Sequence, residues 1–138
     1  MSYLVDTNIV AELARREPDP CVVAWFRKVP DAALHLSVLT LGELRTGVES
    51  LADARGKERL RVWLEHDLAG WFGDRLLPVS VAVADQWGRL LAHAGRPIPA
   101  IDSLLAATAV HHELRMVTRN EEDFSFPGLV VVNPWRLP

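Results

Sequence analysis

One cysteine, Cys21, is all the thiol this chain contains. No internal disulfide is therefore available, and the usage fits a reducing compartment. No apolar run approaches the roughly 18 residues that a membrane-crossing helix needs. The opening stretch MSYLVDTN has neither a basic segment nor a small-residue cleavage site, so no secretory leader is expected. These absences point to a cytoplasmic protein without membrane contact. Positive charge is also short: fifteen Lys and Arg face eighteen Asp and Glu, a net −3. That balance argues against a basic nucleic-acid coat but does not say where the acids sit.

Several chemistries are missing as well. His111 and His112 are adjacent and point to different helix faces, while His35, His66 and His93 are scattered, so no zinc-ligand spacing exists. There is no glycine-rich phosphate loop and no serine nucleophile elbow, and Cys21 stands in no motif. Solenoid repeats and low-complexity tracts are absent too.

What is present is a chain of 138 residues, 49% hydrophobic and 24% charged, a globular composition and the size of one domain spanning 1–138. A chain of this length buries roughly 68% of the surface its unfolded form exposes. The coarse pattern alternates. Tyr3 to Val5 reads as a short strand, followed by a helix near Asn8 to Arg16 with Thr7 or Asn8 as its cap. Pro18 and Pro20 end that helix and begin another that runs to about Val29. Ala33 to Ser37 is a second strand, and a helix from about Leu39 to Leu51 carries Leu41, Leu44, Val48 and Leu51 on one face.

Ala54 to about Phe72 reads as one amphipathic helix with Leu60, Trp63, Leu64, Leu68 and Trp71 on its apolar side. Arg75 to Val79 is a third strand. Ser80 caps a helix to about Ala94, closed by Gly95 and the prolines at 97 and 99. A helix over Ala100 to Leu114 and strands at Arg115 to Thr118 and Leu129 to Val132 complete the pattern. Strands separated by helices predict an α/β fold with a parallel sheet covered on both faces.

In such a sheet ligands bind beyond the carboxyl ends of the strands. Asp6 stands at the end of the first strand, and TRNEEDF, Thr118 to Phe124, follows the fourth. Asp6 has an ordinary alternative as a helix cap, but Thr7 and Asn8 behind it are also able to cap. Glu43 lies off its helix's apolar stripe, as a solvated residue would. Gly42 and Gly47 beside it each lower helix propensity by ~1 kcal/mol relative to Ala, and suggest close approach by another segment. Asp102, in the first turns of its helix, has dipole stabilisation as its ordinary role. The small Ala106 and Ala109 on the same face would let that helix pack closely beside a strand. Glu121 and Glu122 read as solvated. Asn120 and Asp123 become site residues if their loop folds over the strand end.

Carboxylates gathered in one cleft require a compensating cation. Oxygen ligands without a Cys or His cluster select Mg²⁺ or Mn²⁺ over zinc.

LVDTN at the start, GEL around Glu43, DSLLAATA from Asp102 and TRNEEDF from Thr118 resemble, in order and spacing, a PIN domain of the VapC ribonuclease toxins. NPW at Asn133 to Trp135, with VVAWF and ELRTGV, resembles the FitB-like branch. The resemblance covers essentially the whole chain. It implies a PIN-like fold with a central parallel sheet of about four to five strands flanked by helices. It also implies a metal-binding, catalytic set of Asp6, Glu43, Asp102 and Asp123, with Asp6 and Asp102 most central. Thr7, Asn8, Thr118 and Asn120 would hold those carboxylates or a metal-bound water. Some relatives carry Asp directly after the Thr-Arg pair, where this chain has Asn120, so Asn120 and Asp123 compete for the fourth place.

The activity implied is Mg²⁺-dependent endoribonucleolytic cleavage by the toxin of a type II toxin–antitoxin pair. Its partners would be an RNA substrate, a cognate and DNA-binding antitoxin, and a second copy of the chain as homodimer. Arg45, Arg96 and Arg119 flank the acids and are candidates for RNA phosphates. Each has an ordinary alternative as a surface arginine. Trp25, Trp63, Trp71 and Trp87 sit at core spacing, so burial is the default; lining a groove or dimer face is the alternative. The apolar side of residues 54–72 is the candidate protein contact.

Two other readings compete. A haloacid dehalogenase-type phosphatase also ends its first strand in Asp, but wants another Asp where Asn8 stands and a later Lys where only Arg119 is found. A degenerate PIN domain would act only as an antitoxin-binding co-repressor, and the presence of all four acids argues against it. Setting those four acids aside leaves fourteen against fifteen bases, so the surface that meets RNA need not be acidic.

Overall fold

The computed structural model describes residues 1–137. Its elements alternate as the pattern predicts. Strand β1 (Tyr3–Val5) leads to α1 (Thr7–Leu13) and α2 (Pro20–Lys28), then to β2 (Leu34–Ser37) and α3 (Val38–Glu49). A helical run follows, made of α4 (Ala54–Val62), a π-helical segment (Trp63–Leu68) and α5 (Ala69–Phe72). Strand β3 (Leu76–Leu77), α6 (Val81–Ala94), α7 (Ala100–His111), β4 (Arg115–Val117) and β5 (Val131–Val132) complete the order.

The sheet has five strands in the order β3-β2-β1-β4-β5, and every pairing is parallel. β1 is central, with Tyr3 opposite Leu34 on one side and Val5 opposite Val117 on the other. Alternate residues of a strand face opposite sides, and both sides are buried. Val5 joins Ile9, Val22, Trp25, Leu64 and Phe72 in one core. Leu4 joins Leu105, Ala106, Ala109, Met116 and Phe124 in the other. Full burial of each large apolar side chain contributes about 1.5–3 kcal/mol before entropy is counted. The three alanines Ala106, Ala107 and Ala109 are fully buried, so α7 lies close to the sheet and brings its first turn to the strand ends.

Local chemistry sets the helix ends. Ser80 accepts from Val83 N at 3.1 Å, and Gly95 takes the left-handed conformation (φ 67°) that closes α6. Asp19 caps α2 ahead of Pro20. At α1 the cap is Asp6 rather than Thr7 or Asn8: its backbone is extended (φ −73°, ψ 160°) and its side chain accepts from Thr7 N.

Three other expectations change. Residues 54–72 are not one regular helix. Leu60, Leu64, Leu68 and Phe72 recur every four residues, which in an α-helix drifts by about 40° per step. The wider π turns at Trp63–Leu68 take up that drift and keep Leu64, Leu68 and Phe72 on the core. Gly42 and Gly47 face open space, with no atom within 4 Å of a Cβ built at either, so no segment approaches them. Trp25 is buried, whereas Trp71 is 39% exposed, with the Arg75 guanidinium carbon 4.6 Å from its ring centroid. No helix among the described residues is long and apolar enough to cross a membrane.

Candidate active site

The central position of β1 puts Asp6 at the carboxyl edge of the sheet, between the ends of β2 and β4. Its backbone N–H donates to Val117 O at 2.9 Å, which carries the β1–β4 ladder one residue past the strand. Asp6 is 5% exposed, and its carboxylate is surrounded by donors. Thr7 N donates to Oδ1 at 2.7 Å, while Thr118 Oγ1 (2.7 Å) and Asn8 Nδ2 (3.3 Å) donate to Oδ2. Burial pushes the Asp6 pKa up; the Thr118 and Thr7 hydrogen bonds pull it partly back, and the charges of Glu43 and Asp123 add to the rise.

Thr118, at the end of β4, is fully buried, and its hydroxyl is fully used. It gives its proton to Asp6 and accepts from Asn8 Nδ2 (3.2 Å) and Asn120 N (3.0 Å). Asn8 also accepts from Arg119 N at 3.3 Å. Two strand ends separated by more than a hundred residues are thus joined by one network.

Glu43 is exposed on α3 and reaches the site through Thr7, whose Oγ1 donates to Oε1 at 2.6 Å. The buried Thr40 hydroxyl lies 3.3 Å from the same Oγ1. One proton cannot serve both oxygens, so it goes to the carboxylate and Thr40 donates in turn.

Asp102 occupies the first turn of α7 and is partly exposed. Its pKa is raised to about 6, first by burial and then by the charges of Asp6, Asp123 and Glu43, with no hydrogen bond or cation acting against them. Asp123 lies in a 3₁₀ turn, Glu121–Phe124, whose Phe124 is buried in the second core. That anchor holds the turn over the strand end. The charge of Asp123 bears on both Asp6 and Asp102, whereas Asn120 enters the network through its backbone N–H.

Asp6, Glu43, Asp102 and Asp123 therefore share one field. Among the described residues, no three His, Cys, Asp or Glu side chains are close enough together to hold an ion as they stand. The donor set nonetheless fits a hard divalent cation by its chemistry, being oxygen-only and deficient in compensating positive charge.

The three flanking arginines differ. Arg45 is engaged by Glu49 (3.4 Å) and Glu65 (3.0 Å). Arg96 donates to Ser125 O at 3.3 Å and lies over Phe126. Arg119 lies over Trp135 with its guanidinium carbon 5.0 Å from the ring centroid. Sequence reasoning missed Thr40, and noted Asn133 only as part of the NPW motif, without its contacts. Asn133 is 7% exposed and ties Glu121 and the Arg119 carbonyl to the C-terminal turn. Thr40 does not stand out by local pattern, and only an unexplained buried polar position would have flagged it; the NPW motif marks Asn133 but not the partners it binds.

The chain is similar in sequence and fold to known proteins. Toxin FitB of Neisseria gonorrhoeae is 36% identical over 135 residues, covering 96% of this chain and 97% of that protein. VapC ribonuclease Y4jK of Sinorhizobium fredii is 33% identical over 135 residues, covering 96% of each. The crystal structure of FitAcB from Neisseria gonorrhoeae superposes with a TM-score of 0.92 at 36% identity, over 98% of this chain and 99% of that one. The sequence description of the PIN domain matches residues 3–126. The chain is a member of the PIN-domain family.

Proposed function

We propose that this protein is the endoribonuclease toxin of a type II toxin–antitoxin pair, cleaving RNA phosphodiester bonds with Mg²⁺ or Mn²⁺ held by Asp6, Asp102, Glu43 and Asp123. The observation that carries the reading is the state of Asp6. A buried carboxylate at the end of the central strand is oriented by three donors and shares its field with three further acids, and none of the four forms an ion pair among the described residues.

When bound, a hard divalent ion supplies an acidified water and neutralises charge on the phosphate. The protein's own residues do the rest. Thr118, Asn8 and the Thr7 amide fix the rotamer of Asp6, and the Thr7 hydroxyl fixes that of Glu43. Such supporting hydrogen bonds orient ligand oxygens and tune their basicity. Arg119, which shares a cleft with Asp123, and Arg96, which flanks the acids in sequence, would hold phosphates.

A cleft of about 510 Å³ runs from Thr7 and Glu43 over Leu44, Val48 and Leu60 to Trp63. A second, of about 280 Å³, continues past Ala14 and Trp63 to Phe26 and Trp71. This apolar path supports an antitoxin partner whose chain reaches from the helical run at 54–72 to the acidic site. Similarity to proteins named as toxins supports the same partner, and we extend the proposal to a homodimer.

The test is induction of wild type and Asp6→Asn side by side, with sequencing of the cleaved RNA ends. Wild type should arrest growth and leave defined ends; Asp6→Asn should do neither while keeping its fold. Equal cleavage by the two, or cleavage undiminished by EDTA, would refute the proposal. A calorimetric titration in which wild type takes up no Mn²⁺ would favour the non-catalytic, antitoxin-binding module instead.

A further inference from the structure

One buried amide ties the loop after β4 to the C-terminal turn. Asn133 donates from Nδ2 to Arg119 O (3.5 Å) and to Glu121 Oε2 (3.0 Å), and its Oδ1 accepts from Trp135 N at 3.0 Å. Arg136 pairs with the same Glu121 at 2.9 Å. These bonds present the Trp135 ring beneath the guanidinium of Arg119. Arg119 is fixed from the other side as well, since its N–H reaches Asn8 Oδ1 and its neighbour Thr118 binds Asp6.

Arg119 forms no ion pair among the described residues. This is notable because it lines a polar cleft of about 410 Å³ together with Glu121, Glu122 and Asp123. Glu121 is instead taken by Arg136 and Asn133. The turn thus removes a competing carboxylate and offers an aromatic face in its place.

We infer that Trp135 is a positioning residue: its indole face holds the Arg119 guanidinium beside the acidic site so that the planar N–H fork meets a phosphate of the RNA. This rests on the nuclease reading. A guanidinium paired to a carboxylate meets its ligand already neutralised. One resting on a ring keeps its charge and its donors while its rotamers are restricted, which lowers the entropy lost on binding. A lysine would keep the charge but not the stacked fork.

The experiment measures steady-state cleavage of a labelled single-stranded RNA in Mg²⁺ by the full chain, at several salt concentrations. Trp135→Leu should raise KM by about two- to fivefold with a smaller effect on kcat, and Trp135→Phe should recover most of that loss. Trp135 also packs against the core, so a variant that cannot disturb folding is needed. Arg119 is exposed, and Arg119→Lys should reproduce the KM change of Trp135→Leu. Arg119→Gln should in addition lower the slope of log affinity against log salt by about 0.7, the loss of one phosphate contact on a single strand. In the Arg119→Gln background, Trp135→Leu should add nothing further. Additive losses in that double variant, or wild-type KM in Arg119→Lys, would overturn the inference while leaving the nuclease reading in place. RNA left intact by wild type would remove that reading and this inference with it.

Discussion

Thr118 Oγ1 donates to Asp6 Oδ2 at 2.7 Å, joining the ends of β4 and β1 through two buried side chains. The bond favours the ionised carboxylate, opposing the burial that disfavours it. The same hydroxyl accepts from Asn8 and Asn120, so its removal strands two donors as well as the acid. Thr118→Val is expected to cost about 1–3 kcal/mol of stability and about 10- to 100-fold in cleavage. Thr118→Ser should keep most of both. Urea denaturation and initial cleavage rates check this, and a Thr118→Val chain equal to wild type in both would contradict it.

Asp102 should make the metal-free protein less stable as pH rises. Its folded-state pKa, about 6, lies above the ordinary value of 3.8. The protonated form is therefore the one the fold favours. The stability this contributes is complete below about 3.8 and is lost as pH climbs through 6. In EDTA, Asp102→Asn should melt higher than wild type at pH 7, and the gap should narrow between pH 6 and pH 4. A gap that widens on acidification would reverse the assignment. The same substitution should abolish cleavage.

Adding Mn²⁺ or Mg²⁺ should raise the melting temperature of the wild type, because an ion bound only by the folded state stabilises it by mass action. The gain is about 2.7 kcal/mol at a hundredfold excess over Kd. Asp6→Asn and Asp102→Asn remove the two proposed central ligands and should respond much less. Differential scanning fluorimetry with a metal series decides the point; equal shifts in all three chains would place the ion elsewhere.

Glu12 offers a change that affects the fold and spares the site. It is 5% exposed on α1, binds Arg15 at 3.0 Å and accepts from Asp19 N at 2.9 Å, while Asp19 itself caps α2. Glu12→Ala leaves that amide without its acceptor and should cost about 1–3 kcal/mol. The KM for RNA should stay at its wild-type value at temperatures where the variant is folded. Thermal melts alongside cleavage kinetics separate the two effects.

The order of helices and strands was legible in the sequence because each element is decided within a few residues. Apolar periodicity, Ser80 at one end of α6 and Gly95 at the other, and prolines between helices all act locally. Parallel strands joined by helices then required ligand chemistry at the carboxyl ends, which singled out Asp6 and the loop after β4. Partners were another matter. Thr118 and Asp6 are 112 residues apart, and only the strand order β2-β1-β4 makes them neighbours. Arg45 looks like a phosphate contact beside Glu43, yet the helical run across from it supplies Glu65. The π-helical turns at Trp63–Leu68 and the open space at Gly42 and Gly47 likewise depend on what faces each helix. Local propensity says what a segment becomes; packing against segments distant in sequence decides which side chains meet, and so which acids share a field.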